Sequence, residues 1–231
     1  MFAQTRPVFK QERVYQRAHV AANAMLTLGE RTITGMLSAG GRQFEDWSAA
    51  YRLFEKDRIK HQELFAPALK GVLNHIRDNA PLYTMMDDTL LRKRGRKISG
   101  TGWKRDPLGP AFHTNFVWGQ SYLQISAVLP DFEVPGRARG IPIDMQHAPS
   151  AKKPRKNAPE DVWLEYKAQQ KRCKLTAVGS SRLAELRKQI VDRKIVCAVD
   201  GGYTNKALFN SIPDHTVLIG RIRKDASLFS V

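Results

Sequence analysis

The chain is poor in cysteine: only Cys173 and Cys197 occur in 231 residues, in dissimilar contexts. That excludes a disulfide framework and a CxxC metal site, and it fits a reducing cytoplasm. Long apolar runs are also missing. No stretch approaches the ~20 apolar residues a membrane helix needs, and the opening MFAQTRPVFKQERVY holds no apolar core of signal-peptide length. A soluble protein that is not exported is therefore expected. HExxH, the GxxxxGK phosphate loop and any repeat at a fixed period are absent too, which removes several common enzyme classes.

What the chain does have is positive charge. Thirty-eight Lys and Arg against 22 Asp and Glu give +16, and the sequence pI is about 10.1. Such a surface displaces counterions from a polyanion, so nucleic acid is the leading partner. Anionic membrane is the rival. The basic residues, however, lie beside turn and strand signals rather than on a helix with an opposing Leu/Phe/Trp face. Apolar residues at 42% and charged residues at 26% are near globular averages, and the length suits a small module joined to a larger one.

Residues 1–78 read as a helical region, with few breakers from about residue 8 and apolar residues three and four apart. A short helix ending near Ala39 meets Gly40 and Gly41, and a second begins near Phe44 and carries Trp47, Tyr51 and Phe54 inward. Two short helices around a glycine turn are either a helix-turn-helix for DNA or a plain helical hairpin.

The pattern changes for residues 79–231. APLYTMMDDTLL reads as a buried strand delivering two aspartates to its end, followed by the basic turn RKRGRK with Gly95 as pivot. AFHTNFVWG and YLQISAVLP, separated by Gly119 to Ser121, suggest a hairpin, making three consecutive antiparallel strands. The segment from Pro130 to Pro159, with six prolines and the basic run KKPRK, reads as a connection or insertion rather than core. Two helices follow: PEDVWLEYKAQQKRCKL, and SSRLAELRKQIVD opening on serine capping candidates. KIVCAVD is then a buried strand ending in Asp200, TNKALFNSI a short helix and TVLIG another strand. This alternation implies parallel α/β structure attached to the meander.

Metal-assisted phosphodiester chemistry needs hard oxygen ligands converging from several elements. Asp88 and Asp200 meet that need if their strands are neighbours in one sheet. The alternative for either aspartate is a turn former after a strand. DDTLLRKRG, then FHTNFVWGQSYLQIS, then KIVCAVDGGYTNKALFNSIPDHTVLIGRIRKDASLF resemble, in that order, the blocks of bacterial insertion-sequence transposases of the DDE superfamily. The resemblance runs from about Pro81 to Phe229, the proline-rich insertion excepted.

That resemblance implies a ribonuclease H-like α/β fold with a mixed sheet, preceded by a helical region. It implies a DNA transposase that cleaves and joins strands with Mg²⁺ or Mn²⁺, acting on element ends and target DNA in the bacterial cytosol at the nucleoid. Asp88 matches the first acid, with Asp87 and Thr89 as supporting neighbours, and Asp200 matches the second; both would hold metal. The family's third acid is a Glu on a later helix, and no glutamate follows Glu185 here, while Asp214 and Asp225 are poor substitutes. A truncated form is expected, with a DNA-binding remnant or inhibitor of transposition as the alternative, and uncovered apolar surface calling for a partner or homo-oligomer. Arg92, Lys93, Arg94, Arg96 and Lys97 beside the first acid, and Arg221, Arg223 and Lys224 after the second, are phosphate contacts or solvated turns. His113, Trp118 and Tyr122 are expected to pack or orient strands, and both cysteines to be structural.

Overall fold

The computed structural model describes residues 2–28, 32–55, 61–110, 112–131 and 133–222. They divide into two compact units, 1–68 and 69–231. The first is helical. α1 (Glu12–Ala22), α2 (Ile33–Ala39) and α3 (Trp47–Glu55) are short. Phe9, Val14, Ala18 and Leu53 close one small apolar cluster, and Val20, Leu37 and Ala50 another. Thr32 caps α2 by accepting the Gly35 N–H at 3.1 Å. The turn after α2 runs through Gly40 and Gly41, the latter at φ 69°, where a glycine avoids the Cβ penalty.

The glycine turn between two helices is as expected, but the inward face of α3 is not. The helix starts at Trp47, where Asp46 accepts the Ser48 N–H, and Trp47 and Tyr51 are exposed while Ala50 and Leu53 are buried. Residues 47, 51 and 54 form one helical stripe and 50 and 53 a neighbouring one. Periodicity alone cannot choose between two apolar stripes. The side chain of Phe54 lies outside the described residues.

The second unit is a six-stranded mixed sheet with helices. Leu69 and Val72 of α4 (Ala66–Leu73) enter its core. Asn79, at φ 61°, then turns the chain toward β1 (Leu82–Arg92), in a backbone region Asn tolerates better than most residues. β3 (Phe116–Pro130) lies antiparallel along one edge of β1. The far edge of β3 is shared by β2 (Gly102–Arg105), against residues 116–119, and β4 (Ala138–Ala148), against residues 121–130. On the other side of β1, β5 (Ile195–Val199) and β6 (Thr216–Gly220) add in parallel. An antiparallel meander followed by parallel strands and helices is the α/β arrangement expected.

Three local readings are corrected. Gly119 to Ser121 do not turn: they sit inside the single strand β3. Gly119 serves close packing, since a Cβ there would lie 2.6 Å from the Leu91 carbonyl oxygen. The proline-rich segment contains β4, whose Ile143 and Ala148 are core residues; proline is tolerated because β4 has only one partner strand. Ser180 and Ser181 are not caps but lie within α6 (Leu175–Gln189), which follows α5 (Glu160–Arg172) and precedes the single turn α7 (Lys206–Phe209).

The core joins Leu82 and Met86 of β1, Leu123, Ile125 and Ala127 of β3, and Ile195 and Cys197 of β5 to Val178, Leu183 and Leu186 of α6. Gly179 lets α6 approach β1, because a Cβ would meet the Met86 thioether at 3.1 Å. A β-bulge at Ile125/Ser126 skips Ile143 in the β4 register, so Ile143 and Asp144, although consecutive, are both buried. Asp144 is met by Arg182 of α6 in a two-point contact of 2.6 and 2.9 Å. Both side chains are largely shielded from water. Removing the guanidinium would strand a buried carboxylate, so Arg182→Ala should lower stability by about 3 kcal/mol. Replacing both partners with apolar residues should recover most of that loss. Urea unfolding of the three variants checks it, and a loss under about 1 kcal/mol for Arg182→Ala would mean the pair is a surface contact.

Candidate active site

β1 and β5 pair from Leu82↔Ile195 to Met86↔Val199, and there β5 ends. Asp200 is the next residue, and Asp88 lies two beyond Met86. Both acids therefore lie near the level at which β5 ends, on two adjacent parallel strands. β1 itself continues to Arg92 against β3, so Asp87 and Asp88 are mid-strand rather than at the strand end expected of them. Local pattern cannot show that β1 outlasts its parallel partner.

The two-residue period of a strand separates the two acids. Asp88 continues the face of Leu82, Thr84 and Met86, which are buried, whereas Asp87 continues that of Tyr83 and Met85, which are exposed. Tyr203, in the turn that follows Asp200, is buried, and its hydroxyl donates to Asp88 Oδ1 at 2.9 Å. Asp200 Oδ1 accepts the Gly202 N–H at 3.0 Å, so the turn-forming role of this aspartate is real and occupies one oxygen. Asp87 Oδ1 accepts the Asp88 N–H at 2.8 Å.

Electrostatics bind the group together. Loss of solvent around its carboxyl holds Asp88 above the usual carboxylate range; the Tyr203 hydrogen bond pulls the other way, Asp87 and Asp200 push it further up, and Lys104 pulls it down. Asp88 still keeps an open rim to solvent as a residue. Burial and the neighbouring Asp88 push the Tyr203 hydroxyl far above its ordinary value, so it keeps its proton and donates a hydrogen bond to Asp88. Sequence reasoning passed over Tyr203. It stands three residues after Asp200 inside a motif already singled out, but a tyrosine there reads as packing until its hydroxyl is seen on Asp88.

Thr89 is exposed on β1 opposite Tyr122. The expected phosphate contacts do not behave alike. Arg92 donates to Asp106 Oδ2 at 2.8 Å, and Asp106 is buried, so Arg92 acts as a strut. Lys93, Arg94 and Arg96 line a pocket of about 390 Å³ with Trp103 and Trp118, and Lys97 is exposed outside it. Arg221 exposes its side chain, and its carbonyl accepts the Thr204 hydroxyl at 2.9 Å beside the Asp200 turn. Arg223 and Lys224 lie outside the described residues.

Trp118 donates its indole N–H to the Gly95 carbonyl, and Tyr122 stacks on His147 at 4.9 Å, so both orient strands, while His113 is exposed in a turn. Burial pushes the Cys197 thiol up, as suits a small apolar strand residue. Among the described residues no helix is long and apolar enough to cross a membrane, and no group of three or more His, Cys, Asp or Glu could hold a metal. No protein-family model matches the chain, and no curated protein does.

Because the Tyr203 hydrogen bond favours the charged form of Asp88, Tyr203→Phe should raise the Asp88 pKa further while changing stability by no more than about 1 kcal/mol. Carboxylate NMR titration and thermal melting read the two effects. An Asp88 pKa that stays put or falls in the variant would remove Tyr203 from the site.

Proposed function

We propose that this chain carries the catalytic acids of a DNA transposase of the DDE type, an enzyme that cleaves and joins DNA strands with Mg²⁺ or Mn²⁺. The observation that supports it best is the juxtaposition of Asp88, within β1, and Asp200, where the adjacent parallel strand β5 ends, close enough for the charge of Asp200 to act on Asp88. The donor set suits a hard divalent cation. Both acids offer carboxylate oxygens, and the charges of Asp87 and Asp200 that oppose ionisation of Asp88 are ones a cation would offset. Asp88 and Asp200 would hold the metal, which when bound stabilises charge on the phosphodiester and activates a nucleophilic oxygen.

The chain's own residues have separate tasks. Tyr203 orients the Asp88 carboxylate, and the Asp200 side chain is fixed by the Gly202 N–H. Asp87 lies on the other face of β1 from Asp88, accepts the Asp88 N–H and tunes the Asp88 carboxyl through its charge. The basic hairpin tip and Arg221 supply positive potential for DNA, positioning it without reading sequence. A second reading, a DNA-binding protein without strand chemistry, is favoured by an observation that limits the first: among the described residues no group of three or more His, Cys, Asp or Glu could hold a metal.

Mn²⁺ binding separates the readings. Paramagnetic broadening or calorimetry should show Mn²⁺ uptake that Asp88→Asn and Asp200→Asn each abolish and that Asp87→Asn leaves within about threefold, since the Asp87 side chain is on the other face of β1 from Asp88 and asparagine can still accept the Asp88 N–H. Nicking of supercoiled plasmid by residues 1–231 should be slow and should disappear in Asp88→Asn. Mn²⁺ binding that survives both substitutions would end the transposase reading. DNA binding without any Mn²⁺ uptake would leave the second.

A further inference from the structure

We propose that the tip of the β1–β3 arm is a binding site for an unpaired nucleotide, with Trp103 as its stacking platform and Lys93, Arg94 and Arg96 as its phosphate clamp. The inference rests on nucleic acid being the partner and goes beyond the acid pair. It concerns a different place: Lys93 lies five residues beyond Asp88, roughly 16 Å at ~3.3 Å per strand residue, and its N–H donates to the Trp118 carbonyl. Directly opposed residues share a face. Trp103 opposes Trp118, and the β1–β3 register puts Trp118 on the face of Asp87 and Leu91, not of Asp88.

The site is built rather than incidental. Trp118 is held by its N–H bond to the Gly95 carbonyl, which folds the RKRGRK turn back over the strand end. Trp103 meets Trp118 edge to face at 5.6 Å, and at 64% exposure much of Trp103 remains open to solvent. Among the described residues three cations and two indoles line the pocket, and no acid does. An exposed indole beside mutually repelling cations offers complementary contacts to a ligand that is both anionic and flat. A nucleotide has both properties, with a phosphate for the cations and a base for the ring. At about 390 Å³ the pocket suits one small unit, far less than a duplex requires. An acidic peptide would satisfy the cations but leave the open indole face without a stacking partner.

The test measures binding of a 20-mer oligothymidylate, a 20-base-pair duplex, heparin and polyglutamate to residues 1–231, by intrinsic fluorescence and by anisotropy of the labelled polymers. Oligothymidylate should quench tryptophan fluorescence. Its affinity should fall by roughly 5- to 100-fold in Trp103→Ala, as loss of one stacked base predicts, and should recover largely in Trp103→Phe. Heparin binding should be unchanged in both. Neutralising Lys93, Arg94 and Arg96 together should weaken every polyanion and flatten the salt dependence. Oligothymidylate bound equally well by Trp103→Ala overturns the stacking site; duplex binding in that case leaves the proposed function standing, and absence of all nucleic-acid binding by the wild type overturns both. Polyglutamate bound as tightly as oligothymidylate makes the tip a general anion patch and overturns the proposal as well. Because Trp103 is mostly exposed, the variants should keep the wild-type circular dichroism, and Trp103→Phe retains a ring if alanine disturbs the hairpin.

Discussion

Everything at the candidate site depends on the parallel pairing of β1 with β5. Parallel strands cannot be joined by a tight turn, so more than a hundred residues separate the two. Those residues first complete an antiparallel meander and then cross over through α5 and α6. Only the register Leu82↔Ile195 to Met86↔Val199 brings Asp88 level with the turn after β5. A slip of one residue would exchange Asp88 for Asp87 on the core-facing side and take Tyr203 off its acceptor. Packing holds that register: Thr84, Met86 and Cys197 are buried, and the close approach of Gly179 to Met86 leaves little room for another phase.

The second support is electrostatic. α6 is tied to β4 by Arg182 and Asp144, and the bulge that skips Ile143 is what aims Asp144 inward. A residue in an element expected to be an insertion thus anchors the helix that sets the β1 register. Proline content misled there. Prolines report where backbone N–H groups are not needed, and a strand with a single partner does not need all of them.

Much of the site is legible in the sequence alone, and the boundary of what is legible is physical. The strands around Met86 and Cys197, the glycine turn after Asp200 and the basic turn at Gly95 all carry local signals of type and period. Asp88 and Asp200 can be named from their blocks. What local pattern does not contain is the length of one strand relative to its neighbour, which decides that Asp88 is mid-strand, or the continuity of β3 through Gly119, which looks like a turn until a carbonyl is found 2.6 Å from its missing Cβ. Nor does it contain Tyr203 on Asp88 or Arg92 on Asp106, since both are contacts between residues distant in sequence. In the helical unit the ambiguity is of another kind: α3 has two apolar stripes, and tertiary packing selects the smaller side chains.

Asp88 sits on the buried face of its strand at the point where that face opens, and this placement has an energetic consequence. Its folded pKa is raised, chiefly by loss of solvent and then by two neighbouring acids, only partly offset by Tyr203 and Lys104. A raised carboxylate pKa favours the folded state below the ordinary carboxylate range, where the group is protonated in both states, and that advantage is withdrawn as pH rises through the folded value. Once ionised, Asp88 therefore works against the fold. A position used only for structure has no reason to keep an acid there, because asparagine would accept the Tyr203 hydrogen bond without the charge. A cation reverses the sign: the neighbours that disfavour ionisation of Asp88 in its absence become the field that attracts it. The same arrangement that weakens the sheet at this point is the one on which the proposed divalent-ion site rests.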